Sequence, residues 1–198
     1  MATTQPCMTP GLLDRNGPVR QLAGVGTQLV VLVTASRSWT GSRAMGVGAA
    51  YAWVAGEYGL ITHGEAGHRM DWSLITIRHG AARGGDTHLA RVAGAWGMTL
   101  DPHPVTKQDW EAPCGTGCEP GHRKVRRDGS TYCPGAAARR NQRMVGLGAD
   151  VCVGFPMGAG WSGTRHCMTI AGRAGIRVVD WARDGAALLT ASQYSYVR

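Results

Sequence analysis

The chain has 198 residues, of which 43% are hydrophobic, with six cysteines and a formal net charge of +8. That length suits one domain with a substantial core, and no apolar run approaches the roughly 20 residues that span a bilayer. The basic excess is almost all arginine, Lys107 and Lys124 being the only lysines. Guanidinium forks suit phosphates and carboxylates, so an anionic partner is expected and a membrane is not.

Residues 1–27 carry Pro6, Pro10 and Pro18 without hydrophobic periodicity and read as an N-terminal arm. They lack the basic and apolar regions of a signal peptide, which makes the cytoplasm the expected location. Gln28–Thr34 is the first strand, apolar on both faces as in a parallel sheet. It empties into a polar turn, Ala35-Ser36-Arg37-Ser38-Trp39-Thr40. Residues 43–58 predict a helix weakened by Gly46 and Gly48, and 58–72 a loop with His63 and His68 at the surface.

The stretch SLITIRHGAARGGD, Ser73 to Asp86, organises the rest. Leu74, Ile75 and Ile77 predict a short buried strand. A glycine-rich turn, His79-Gly80-Ala81-Ala82-Arg83-Gly84-Gly85, follows it. Asp86 is the expected N-cap of a helix whose apolar face is Leu89, Ala90, Val92 and Ala93. Strand, glycine turn and helix start together aim backbone N–H groups and a helix dipole at one point, which suits a phosphate.

Met98–Val105 predicts a third strand, short or at an edge because of Pro102 and Pro104. After an insert at 107–136, Ala137–Leu147 predicts a helix with a basic face, closed by Gly148. Asp150–Phe155 is the next strand. It runs into a second glycine loop, Pro156 to Thr164, and a helix around Cys167–Ala174. Ile176–Trp181 is the last strand, and 185–198 reads as a tail. Strands alternating with helices give an α/β class, a Rossmann-like parallel sheet with helices on both faces. The domain is expected to span 28–184, with its loops converging on one ligand edge.

Four blocks in this order resemble the SLOG superfamily of Rossmann-like domains, in the YspA-related branch common in actinobacteria and their phages. They are the 32–40 turn with its strand, HGAARGGD at 79–86, residues 138–156, and 162–178. The resemblance implies a nucleotide or nucleotide-derived ligand held at the glycine loops. Matched by motif, the ligand-binding residues are Ser36 and Arg37 of the first turn, and Gly80, Arg83, Gly84 and Asp86 of the first glycine loop. Arg140 and Asn141 of the basic helix and Gly163 and Thr164 of the second loop complete them. The chain departs from the family where Ala35 replaces a glycine of the first turn. It also has Cys167 where the similar Lonely Guy enzymes carry a catalytic glutamate. The expected function is therefore ligand binding, as a sensor or sponge in phage–host conflict. The alternatives are a Lonely Guy-type nucleotide N-glycosidase and DprA-like binding of single-stranded nucleic acid.

The insert spaces Cys114, Cys118, His122 and Cys133 as C-x3-C-x3-H-x10-C. Three thiolates and an imidazole form a tetrahedral zinc set, and a segment this poor in apolar residues needs such a tie to stay ordered. The same insert and the next helix concentrate Arg123, Lys124, Arg126, Arg127, Arg139, Arg140 and Arg143. That basic patch makes nucleic acid a candidate partner, with Tyr132 the one aromatic among the charges. A homodimer is the candidate assembly. Cys152 and Cys167 are expected in the core.

Overall fold

A computed structural model describes residues 28–39, 44–64, 67–114, 118–158 and 162–191. The expected N-terminal arm lies outside these residues, as do Thr40 and positions 159–161 of the second glycine loop. The elements in chain order are β1 (Leu29–Ala35), α1 (Ala44–Glu57), β2 (Ile61–Gly64), β3 (Gly67–Met70), β4 (Ile75–His79), α2 (Gly85–Ala95) and β5 (Thr99–Pro102). There follow α3 (Lys107–Glu111), β6 (Lys124–Val125), β7 (Thr131–Tyr132), α4 (Ala136–Gly146), β8 (Val151–Phe155), α5 (Gly163–Arg173), β9 (Arg177–Asp180) and α6 (Trp181–Ala191).

Five strands form one sheet in the order β5-β4-β1-β8-β9, and every neighbouring pair is parallel. The continuous apolar run of β1 follows from its place at the centre. Leu29, Val31 and Val33 enter the larger core with α1, α2 and α6 residues such as Tyr51, Leu89 and Trp181. Leu32 points the other way, with Cys152, into a smaller core against Met144, Cys167 and Ala171 of α4 and α5. Alternation along one strand thus feeds helices on both faces. Each such fully buried aliphatic side chain contributes roughly 1.5–3 kcal/mol.

From β1 the chain steps outward to β4 and β5, then returns across to the other side of β1 with β8 and β9. The direction reverses between β1 and β8. That is where open α/β sheets leave a crevice beyond the strands' C-terminal ends.

Three features differ from the sequence expectation. Residues 61–70, read as loop, form an antiparallel hairpin in which Ile61 pairs Met70 and His63 pairs His68. Its four-residue strands carry too few apolar positions to signal a period. The expected tail at 185–198 begins inside α6, which runs to Ala191; Trp181 and Leu188 pack it onto the core. Finally, Asp86 is not a cap. The N-cap of α2 is Gly84, at φ +89°, without a side-chain hydrogen bond, and Asp86 lies buried in the first turn.

Candidate functional site

Parallel register brings the ends of β1, β4 and β8 to one edge, and there a cavity of about 580 Å³ opens. Its walls come from Ser36–Ser38 after β1, Ala82 and Asp86 around the first glycine loop, the first turns of α4, and Ser162–Thr164 at the start of α5. Of the ten expected ligand-binding residues, Ser36, Arg37, Asp86, Arg140, Asn141, Gly163 and Thr164 line this cavity. Gly80 and Arg83 line an adjoining one of about 520 Å³, which shares Arg37, Ala82, Ala137 and Arg140 with the first. Gly84 lines neither; it packs against the carbonyl of Arg37.

The ten divide by task. Asp86 holds the floor: its carboxylate accepts from Ala35 N at 2.9 Å and from Ala82 N at 3.3 Å, tying the end of β1 to the glycine turn. Burial pushes its carboxyl above the ordinary aspartate range, against the pull of the Ala35 N–H and of Arg140. Ser36 ties the first turn to the second loop. Its N–H donates to Phe155 O at 3.2 Å and its Oγ accepts from Met157 N at 2.9 Å.

Arg140, expected as a phosphate contact, is buried. Its Nη1 donates to the carbonyls of Gly80 and His103, and its Nε donates to Asn141 Oδ1 at 2.9 Å. Asn141 in turn donates from Nδ2 to Gly163 O at 3.0 Å. This Arg-Asn pair on α4 clamps the first glycine loop to the start of α5. Burial lowers the Arg140 pKa, with Asp86 acting to raise it.

What remains open to a ligand is the exposed pair Arg37 and Arg83, together with the start of α5. There Ser162 caps the helix by accepting from Arg165 N at 3.3 Å. An eleven-residue helix brings about half a positive charge to that point. His166, one turn into α5, also lines the cavity and lies close to Asn141 Nδ2; burial holds its pKa below the usual range. Sequence reading missed His166, although its place three residues after the helix's first glycine marks the same helix face. It missed Trp110 as well, which sits in the second cavity but in the sequence belongs to the cysteine insert.

Asp86→Ala leaves the buried N–H of Ala35 and the half-buried N–H of Ala82 without this acceptor. We expect a loss of about 2–4 kcal/mol in urea unfolding; a loss below about 1 kcal/mol would show that the carboxylate does not hold this floor.

Cys167 lies at zero exposure in the smaller core and shares a hydrogen bond with Cys152, whose thiol is pushed upward by this contact and then by burial. It sits beneath the cleft and does not line it.

The insert brings Cys114, Cys118, His122 and Cys133 together, with their ligand atoms all within 4.8 Å of one another. Cys118 Sγ and Cys133 Sγ are 3.7 Å apart. His122 Nε2 lies 3.0 Å from Cys133 Sγ and 3.5 Å from Cys114 Sγ. Tetrahedral zinc with thiolate and imidazole ligands spaces its donors by roughly 3.5–3.8 Å, so the set fits a metal ion and none of its cysteines forms a disulfide. The histidine is also oriented from behind: His122 Nδ1 meets Glu119 O at 2.7 Å, which fixes Nε2 as the inward atom. Burial raises the Cys133 thiol, but hydrogen bonds from Arg139 and His122 prevail and hold it at about 6.

Most of the insert's arginines serve the insert itself. Arg123 donates to Ala112 O at 2.9 Å and Thr131 O at 3.1 Å. Arg126 lies over the Tyr132 ring, Arg139 donates to Asp109 O, and Arg143 pairs with Asp109 at 2.9 Å. Lys124 and Arg127 are the exposed remainder of the expected basic patch. No helix among the described residues is long and apolar enough to cross a membrane.

Compared with known proteins, the chain is 38% identical over 118 residues to the Gene 61 protein of Mycobacterium phage D29, covering 58% of this chain and 76% of that protein. No protein-family model matches it.

Proposed function

The chain belongs to the family of the Gene 61 protein of Mycobacterium phage D29, and from that premise we propose that it is a phage-type protein that binds a nucleotide or nucleotide-derived ligand at its sheet edge. The observation that carries this is convergence. Two strand-to-helix loops, an arginine turn and the start of α5 surround one cavity at the strand-order reversal. Such a crevice, with open amides at a helix start, suits a phosphate-bearing molecule. The order of motifs resembling SLOG domains supports the same ligand class, and a role as sensor or sponge in phage–host conflict fits a protein with a phage relative. The Cys3His cluster, on this reading, holds a structural zinc ion that orders the insert beside the cleft.

Binding is favoured over hydrolysis by where the candidate groups sit. Cleaving an N-glycosidic bond develops positive charge that a nearby carboxylate stabilises. Cys167, at the position of the Lonely Guy glutamate, is enclosed in the core, and the Asp86 carboxylate is already engaged by two amides. The nucleic-acid alternative loses most of its cations to internal contacts within the insert.

Mass spectrometry of small molecules that co-purify, followed by calorimetry with a nucleotide panel, tests the proposal. One charge-assisted contact is worth about 1.5–3 kcal/mol, so Arg37→Ala and Arg83→Ala are each expected to weaken binding about tenfold or more. Arg140→Ala should instead lower stability, because it removes a clamp. Unchanged affinity in both exposed-arginine variants would move the ligand elsewhere.

A further inference from the structure

We infer that the second cavity is a base-binding subsite, so that the ligand is a nucleoside phosphate with its phosphate at the start of α5 and its base against Trp110. This rests on the proposed reading of the cleft and adds to it the class of ligand and the residue that receives its aromatic part.

The two cavities carry different groups. The first presents the polar side chains of Thr34, Ser36, Ser38 and Ser162 beside the helix start. The second is lined by Pro104, Val105 and Trp110, by Ala81 and Ala82, and by three arginines, Arg37, Arg83 and Arg140. They adjoin through Arg37 and Arg140, which line both. A molecule with an anionic end and a flat aromatic end matches a cleft with a helix start at one side and an indole at the other. The two ends would straddle Arg37, the exposed cation between them. At about 520 Å³ the second cavity is within the size range of small-molecule sites.

Trp110 is held in place by local structure. Thr106 begins α3 with a capping box, its hydroxyl accepting from Asp109 N and the Asp109 carboxylate accepting from Thr106 N. This sets a short helix that ends beside the cleft. The carbonyl of Trp110 accepts from Cys133 N at 2.9 Å, and its ring meets Tyr132 edge to face with centroids 5.8 Å apart. One edge-to-face contact uses at most one face of the indole. An indole whose backbone is tied to Cys133 and whose ring rests on Tyr132 is a ready stacking wall, because every base offers a π-face. The wall is supplied by the insert, and the phosphate end by the parallel-sheet domain.

Equilibrium dialysis with ribose 5-phosphate and the four nucleoside 5′-monophosphates separates the two claims, on wild type, Trp110→Ala and Trp110→Phe. We expect at least one nucleotide to bind about tenfold or more tightly than ribose 5-phosphate. Trp110→Ala should erase that margin while leaving ribose 5-phosphate affinity unchanged, and Trp110→Phe should keep most of it. The unchanged ribose 5-phosphate affinity also reports that the variant is folded. Equal affinity of ribose 5-phosphate and all four nucleotides for wild type would overturn the subsite and leave the cleft standing, as would a margin that survives Trp110→Ala. If wild type binds none of the five probes, the cleft reading itself falls, and the subsite with it.

Discussion

Protein purified without chelator is expected to carry a stoichiometric zinc ion, and Cys133→Ser to carry none. Cys133 is the ligand on which the others close. It has zero exposure, its Sγ lies 3.7 Å from that of Cys118 and 3.0 Å from His122 Nε2, and Arg139 donates to it at 3.1 Å. Loss of one thiolate from a four-ligand set leaves a buried hydroxyl facing two thiols and an arginine. In small zinc modules the metal contributes about 10–16 kcal/mol of apparent folding energy. Here the parallel sheet has its own core, so the loss should fall mainly on residues 107–136. Metal analysis together with limited proteolysis checks this: Cys133→Ser should be cut within the insert under conditions where wild type is not. Cys152→Ser, altered in the core away from the cluster, should keep its metal. Wild type without stoichiometric metal, or Cys133→Ser with it, would sink the assignment.

The sheet was legible because its signals are local. The unbroken apolar run of β1 and the β-branched residues of β4 need no tertiary context to be read as strands, and the glycine loops mark where they end. The cysteine spacing likewise announced its own cluster. What the sequence hid is what depends on distant partners. Asp86 follows two glycines and precedes an amphipathic helix, so local rules make it a cap; instead its acceptors serve Ala35, 51 positions earlier, and Ala82. Arg140 and Asn141 match a ligand-binding pair by motif, but their hydrogen bonds run to the carbonyls of Gly80, His103 and Gly163. Only the topology, which places α4 across both loops, makes them a clamp. Trp110 was concealed by its address, since nothing in the chain before β8 shows that the insert folds back to the cleft.

The departure at Ala35 finds its explanation in the same packing. A methyl there would crowd a turn that approaches α2 closely, and the space for it is the missing side chain of Gly85, where an added Cβ would fall on the Ala35 methyl and near Ser36 O. The crowding is thus taken up on the side of α2. Ala35 remains a lining residue of the first cavity.

Gly84→Ala is expected to be the most damaging single-methyl change in the cleft, costing on the order of 3 kcal/mol or more. Two separate effects combine at this position. Its φ of +89° with ψ of −123° lies outside even the left-handed helical region, in backbone space nearly confined to glycine, and an alanine there costs about 1–3 kcal/mol. In addition, the new methyl would fall inside contact distance of the Arg37 carbonyl oxygen. That oxygen belongs to the backbone, so no rotamer change relieves the overlap, and either the first turn or the start of α2 must move. Gly97, just beyond the other end of the same helix, separates the two effects. It has a positive φ of +83° and nothing within 4 Å of where its Cβ would stand, so Gly97→Ala should cost only about 1 kcal/mol for its own backbone conformation, with no overlap added. Urea unfolding of both variants measures the difference, and nucleotide affinity of folded Gly84→Ala should fall with the displaced turn while that of Gly97→Ala holds. Equal destabilisation by the two alanines would mean that the loop tolerates the methyl, and that the close approach of the Arg37 turn to the first glycine loop does not set the shape of the cleft.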